Sequence, residues 1–201
     1  MEALGKPDQG LRFKQQALER DPRSPLVVVQ IASSYWHQRR YDDAIAWANR
    51  ALEMDPRHML AGEFLASAYL KQGDMDRFVT ENLRRAEVFG VSVEAMAHLR
   101  HVCGDMQDAY TNEGSRGLAC CLLRHMPPGE GGSASVQRAI LCGGAGDLDR
   151  AFEHLDRALE GHDPALVHLA VAPQWDSLRV DPRFNQRLTR MGLAPAAGHQ
   201  N

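Results

Sequence analysis

His98 and His101 stand three residues apart in a stretch that reads as helix, with Cys103 just beyond them. Two imidazoles on one helical face can share a metal ion when a third ligand approaches. Cys121 and His125, four apart on a later helical stretch, are the side chains able to supply it. Neither spacing is that of a closed zinc site built from paired C-x2-C elements. Solvated or core-edge side chains are the simpler reading, and neither a metal nor any other cofactor is expected. Adjacent Cys120 and Cys121 would form a redox sensor if one thiol lay exposed beside a cation such as Arg124. Within an apolar helical stripe they are inert instead, and all four cysteines, Cys103, Cys120, Cys121 and Cys142, read as reduced core thiols. Gly129-Glu130-Gly131-Gly132-Ser133 is glycine-rich but lacks the Gly-Lys-Ser/Thr of a phosphate loop and follows a helix rather than a strand. Together with the preceding Pro127-Pro128 it reads as a plain hinge loop over 127–133. There is no G-x-S-x-G, H-E-x-x-H or kinase catalytic loop. Asp42, Asp43 and Glu53 fall on exposed helix faces, with no carboxylate pair placed for acid–base work, so no catalytic residue is assigned and no enzyme is expected.

The elements carry more information than the reactive side chains. Ala17-Leu18-Glu19-Arg20-Asp21-Pro22 recurs 34 residues later as Ala51-Leu52-Glu53-Met54-Asp55-Pro56. A period of that length marks stacked helical hairpins. In the unit 24–58, Ser24 suits an N-cap and Pro25 the first helical position. Val28, Ile31, Ala32 and Tyr35 then recur at helical spacing. After a turn at 38–41, Ala44, Ile45, Ala48, Ala51 and Leu52 form the stripe of a second helix. Asp55-Pro56 ends it, because proline disfavours helical geometry in the residue before it. Ala32, Ala44 and Ala51 are small where two helix axes about 8–10 Å apart must cross, and Tyr35 fills the space beside them.

These residues resemble the tetratricopeptide repeat family. Its pattern places are held here by Val28, Ile31-Ala32, Tyr35, Arg39, Tyr41, Ala44, Ala48, Ala51 and Pro56, with Arg39 at the turn glycine and Ala48 at an aromatic place. The next unit, 59–90, keeps Leu65-Ala66, Tyr69 and Gly73. It then departs, with Phe78 where alanine is expected and Ala86 shifted by one, so its second helix is expected to pack irregularly. Upstream, Gly5, Gly10, Ala17 and Pro22 fit the second half of a unit at 1–23, which implies that the chain begins inside a repeat. Residues 91–133 are irregular, with helices expected over Val91–Cys103, Asp105–Asn112 and Arg116–His125. Repeat character returns over 134–162, where Ala139, Gly146, Ala151 and Ala158 take the small places. A cap follows over 163–192, its helices opened by Asp163-Pro164 and Asp181-Pro182 and closed by Gly192, with a disordered tail at 193–201. Asp163-Pro164-Ala165-Leu166, Trp175-Asp176-Ser177-Leu178-Arg179, Asp181-Pro182-Arg183-Phe184 and Met191-Gly192-Leu193 resemble the tetratricopeptide tails of bacterial multidomain regulators.

The resemblance implies an all-α, right-handed array of helical hairpins with irregular middle helices and a C-terminal capping segment. It also implies a partner-binding groove lined by the first helix of each unit. Carried over place by place, that face is Leu26, Val29, Gln30, Ser33, Trp36 and His37, then Leu60, Glu63, Phe64, Ser67, Leu70 and Lys71. Trp36 is its sharpest candidate, either as an exposed anchor for a partner or as a packed side chain. The places at which some family members clamp a terminal carboxylate hold Val29, Ser33 and Glu63, which cannot neutralise one.

Composition agrees with a binding module. The chain has 201 residues, 44% apolar and 24% charged, and a formal net charge of −3 that gives no field favouring nucleic acid. Arg39-Arg40 and Arg84-Arg85 read as solvated helix faces. No apolar run reaches the roughly 20 residues that span a bilayer, and no signal peptide opens the chain, which argues for the cytoplasm. The expected function is a non-catalytic adaptor or scaffold for a protein or peptide. The alternative is the sensory or regulatory half of a bacterial transcription regulator or kinase whose effector domain lies elsewhere. An apolar outer side on the helix at 10–21 would favour self-association through residues 1–21, or completion by an upstream domain.

Overall fold

The computed structural model describes residues 7–127 and 133–193. Residues 128–132 of the expected hinge, the first six residues and the expected tail from 194 onward lie outside the described residues. Among those described, every regular element is helical. Contacts gather into two compact units, one ending at Gln107 and the other beginning at Asp108.

In the N-terminal unit, α1 (Pro7–Arg20), α2 (Pro25–His37), α3 (Tyr41–Met54), α4 (Met59–Lys71) and α5 (Met75–Val88) alternate in direction through short turns, each packing on the next. The start signals read from sequence are in place. Ser24 Oγ accepts from the Val27 N–H at 3.4 Å and Pro25 opens α2. Asp74 caps α5 in the same way, its carboxylate accepting from the Arg77 N–H at 3.0 Å. Ala32, Ala44, Ala48 and Ala51 are all fully buried.

One turn geometry closes the hairpins of both units. At the end of α2 the Arg40 N–H donates to Tyr35 O at 2.9 Å, with Arg39 between them at φ 60°. At the end of α4 the Asp74 N–H donates to Tyr69 O at 2.9 Å, with Gly73 at φ 77°. The turn between α7 and α8 repeats the pattern, with Asp147 N–H to Cys142 O at 2.9 Å and Gly146 at φ 87°. Such a left-handed residue lets the turn satisfy carbonyls that the helix end leaves unpaired. Glycine adopts it without strain; Arg39 bears a Cβ penalty there.

The second helix of the unit 59–90, expected to pack irregularly, is itself unbroken: α5 runs from Met75 to Val88. The departure from the pattern is absorbed by an exchange of sizes. Val28 packs in one core cluster with Ala51. The places 34 residues on hold Gly62 and Arg85, and the stem of Arg85 lies directly over Gly62. Large-against-small has become small-against-large.

The irregular stretch differs from its expected division. Val93–His125 (α6) is one helical run interrupted at Gly114 (φ 61°, ψ −147°), so the expected break beside Gly104 is absent. Gly104 is tolerated within a helix, whereas Gly114 adopts a φ that other residues avoid. Beyond the break the chain approaches itself so closely that a Cβ on Gly117 would collide with the Ala109 carbonyl.

The C-terminal unit continues with α7 (Ser133–Ala145) and α8 (Leu148–Glu160), packed as a hairpin. Two 3-10 turns, Pro164–His168 and Pro173–Trp175, lead into the short α9 (Asp176–Arg179) and α10 (Pro182–Arg190). Asp163 and Asp181 cap as expected, accepting from Ala165 N–H and Arg183 N–H at 2.9 Å each. Gly192 closes α10 at φ 70°.

Candidate functional site

The face proposed from the repeat pattern divides between its two helices. α2 is enclosed, with Ile31 to His37 all buried, because α1, α3 and α4 all pack on it. Val29, Ser33, Trp36 and His37 therefore lie out of a partner's reach. Trp36 is a correction to the anchor reading. It is only 6% exposed, with its ring centroid 5.4 Å from that of His37 and 5.8 Å from that of Phe64. Ser33 Oγ lies 3.5 Å from His37 Nδ1. Gln30 is half-buried, and its carbonyl accepts from Lys14 Nζ and Ser34 Oγ at 3.0 Å each. Leu26, at the start of the helix, remains open.

α4 keeps its side of the face accessible. Leu60, Glu63 and Lys71 are exposed; Phe64, Ser67 and Leu70 are half-buried. Glu63 Oε1 accepts from Arg85 Nη2 at 3.3 Å. The resulting strip has an acid near the start of the helix, Phe64 and Leu70 along it, and a base at its end.

The opposite side of α4 holds a cleft that the sequence did not reveal. Leu65 and Tyr69 form its floor, with Asn49, Leu52 and Glu53 of α3 on one wall and Asp76, Arg77, Thr80, Glu81 and Arg84 of α5 on the other, enclosing about 690 Å³. Glu81 is buried and accepts from Arg84 Nε and Nη2 at 2.7 Å each. That hydrogen bond raises the affinity of the Arg84 guanidinium for its proton. Arg77 stacks on Tyr69 at 5.6 Å. The expectation that Arg84-Arg85 is a solvated face is thus corrected: Arg84 pairs with Glu81 and also donates to Pro56 O at 3.4 Å, while Arg85 covers Gly62. The cleft arises because α4 packs against both α3 and α5, an arrangement that no single helical stripe encodes.

In the C-terminal unit, the residues that carry the tail resemblance are structural. Trp175, Leu178 and Phe184 are fully buried. Arg179 donates to the carbonyls of Leu169, Ala170 and Ala172 at 3.1, 2.6 and 2.9 Å and pairs with Asp176 at 2.9 Å. Arg183 joins Asp149 at 2.7 Å, Arg187 joins Asp156 at 2.6 Å, and both guanidinium groups lie over the Phe152 ring. A second cleft of about 540 Å³ lies among Leu159, His162, Asp163, Leu166, Val167 and Met191.

His98 and His101 are both exposed, and His101 faces Asp105 at 3.8 Å. Among the described residues no three His, Cys, Asp or Glu side chains converge as a metal site. Cys103, Cys121 and Cys142 are buried and Cys120 is half-buried. Burial pushes the Cys103 and Cys142 thiols up, away from the reactive thiolate. Among the described residues no helix is long and apolar enough to cross a membrane.

Alternating helices, hairpins closed by one recurrent turn and small residues at the crossings define a helical-hairpin repeat protein. The tetratricopeptide repeat profile matches residues 2–58 and 29–90. By that match residues 2–90 carry tetratricopeptide repeats, and such repeats in general mediate interaction with protein or peptide partners. No curated protein matches the chain.

Proposed function

We propose that this protein is a non-catalytic adaptor or scaffold that holds a peptide segment of another protein along the open face of α4. The observation that carries this reading is the asymmetry of the repeat face. α2 encloses its share, whereas α4 leaves Glu63, Phe64, Ser67, Leu70 and Lys71 accessible. Apolar side chains flanked by one acid and one base can take a short amphipathic segment in a fixed direction. Leu26 and Gln30 border that strip, and the buried Val29, Ser33, Trp36 and His37 support it from behind. The net charge of −3 favours a protein ligand over nucleic acid.

Selection of a displayed random-peptide library on the full chain, followed by fluorescence anisotropy with the recovered peptides, tests the reading. Phe64→Ala and Leu70→Glu should each weaken binding by about tenfold or more if these side chains anchor the ligand. Asn49→Ala and Thr80→Ala, in the opposite cleft, should leave it unchanged. Peptides that bind both α4 variants as well as the wild type would remove the assignment.

A further inference from the structure

The N-terminal unit gathers its exposed large apolar side chains at one end. Apart from Phe13 on α1, they are Leu26, Met59, Leu60, Phe89, Val91 and Val93, each 40–82% exposed. Alternation places them together: α2, α4 and α6 begin at this end, and α3 and α5 finish there. Two contacts tie its turns to one another. The Arg57 guanidinium lies 5.9 Å from the Phe89 ring centroid, and Arg84 Nη1 donates to Pro56 O at 3.4 Å.

Helix energetics alone would not choose these residues. α1, α3 and α5 carry acidic residues in their first turns, namely Asp8, Asp42 with Asp43, and Asp76. An acid there complements the helix dipole by about 0.3–1 kcal/mol. α2 and α4 have none, presenting Leu26 and Met59-Leu60 instead. Those first turns forgo that stabilisation and leave apolar surface in water.

The six side chains expose on the order of 500 Å² between them, about the largest patch that a monomer usually carries. That is over half of one partner's share, about 800 Å², of a standard interface. Charges of both signs neighbour these side chains: Arg57 lies over Phe89, and along the chain Arg23 precedes Leu26 while Glu87 and Glu94 stand close to Phe89 and Val93. A single-signed rim would repel its own copy, whereas a mixed rim can pair with itself across a two-fold axis.

We propose that this end of the N-terminal unit is a self-association surface on which two copies of the chain meet, patch against patch. The surface is distinct from the outer side of α1, where Arg12, Gln15, Gln16, Glu19 and Arg20 surround Phe13 with polar groups.

Sedimentation equilibrium of the full chain decides the matter. The wild type should be a dimer. Leu26→Asp with Leu60→Asp should weaken dimerisation by about a hundredfold or more, two well-packed apolar contacts being replaced by facing charges. Asp in a first turn suits the helix dipole, so the thermal unfolding curve should not move to lower temperature. Val93→Asp, on a different helix, should weaken the dimer independently, and Phe13→Asp should leave it intact. A monomeric wild type, a dimer that survives the patch substitutions, or one lost with Phe13→Asp alone would each overturn the proposal. So would a monomeric wild type that cosediments with phosphatidylglycerol vesicles through the same side chains, which would assign the patch to a membrane surface.

Discussion

Replacing Gly62 by alanine should destabilise the protein, although the same change in an isolated helix stabilises it. In a helix interior, alanine is favoured over glycine by about 1 kcal/mol. The new Cβ, however, would lie 2.8 Å from Arg85 Cδ, 3.1 Å from Arg85 Cγ and 2.9 Å from Glu81 Oε1. Two of these contacts are with the stem of a side chain held by its pairing with Glu63, and the third is with a carboxylate fixed by Arg84. Overpacking of that kind costs about 1–3 kcal/mol, so Gly62→Ala should lose up to about 2 kcal/mol net. In an Arg85→Ala background both stem contacts vanish, and Gly62→Ala should become neutral or favourable by about 1 kcal/mol. The double-mutant cycle should then show a coupling of about 1–3 kcal/mol, with the pair of substitutions better tolerated than the sum of the singles. Urea unfolding of the four proteins, followed by far-ultraviolet circular dichroism, measures it. Additivity to within about 0.5 kcal/mol would refute the size exchange between α4 and α5.

Three further outcomes follow from single positions. Arg39→Gly should stabilise by up to about 1 kcal/mol by removing a Cβ from a left-handed residue, whereas Gly73→Ala should destabilise by at least as much; a shared sign in the two denaturation midpoints would disprove the turn equivalence. Trp36→Ala should cost about 3–5 kcal/mol as a buried aromatic deletion, read as a fall in the urea midpoint, and an unchanged midpoint would return Trp36 to the surface. The Arg183 guanidinium holds the Asp181 carboxyl below the usual carboxylate range. The ionised form is thus favoured in the folded state, and its contribution, present above the unfolded value, is lost only as pH falls through the lowered one. Carboxyl carbon chemical shifts followed through an acid titration should show Asp181 protonating late, and protonation in the ordinary range would contradict the pairing.

Local signals were legible wherever one or two residues determine the geometry. Ser24-Pro25, Asp163-Pro164, Asp181-Pro182 and Gly192 each mark the helix boundary that they signal. The alanines of α3 announced close packing, but not its ranking. The sequence favours Ala51 as the crossing point over Ala48, yet both are fully buried, Ala51 among Val28 and Ala61 and Ala48 against Leu65. What stayed hidden depends on the neighbours. The enclosure of Trp36 follows from the packing of other helices around α2, which no residue of α2 records. Gly62 and Arg85 each look like a departure from the repeat until they are seen in contact. The expected gap at 113–115 holds the break, at Gly114, whereas the break expected at Gly104 is absent, and composition does not distinguish the two glycines.

Arg179 gives the C-terminal segment a particular mode of failure. Through its one guanidinium group, three backbone carbonyls of the preceding turns find donors that an ordinary helix would supply from separate residues. Loss of that side chain removes a donor from all three acceptors and from the Asp176 carboxylate together, with Ala172 O keeping the Trp175 N–H. The stretch from Leu169 to Arg179 therefore cannot fray residue by residue from its end. It stays docked or opens as a block, and an opened block presents several consecutive peptide bonds to a protease at once. Cellular lifetime, rather than partner affinity, is the property on which a change at this arginine should register first.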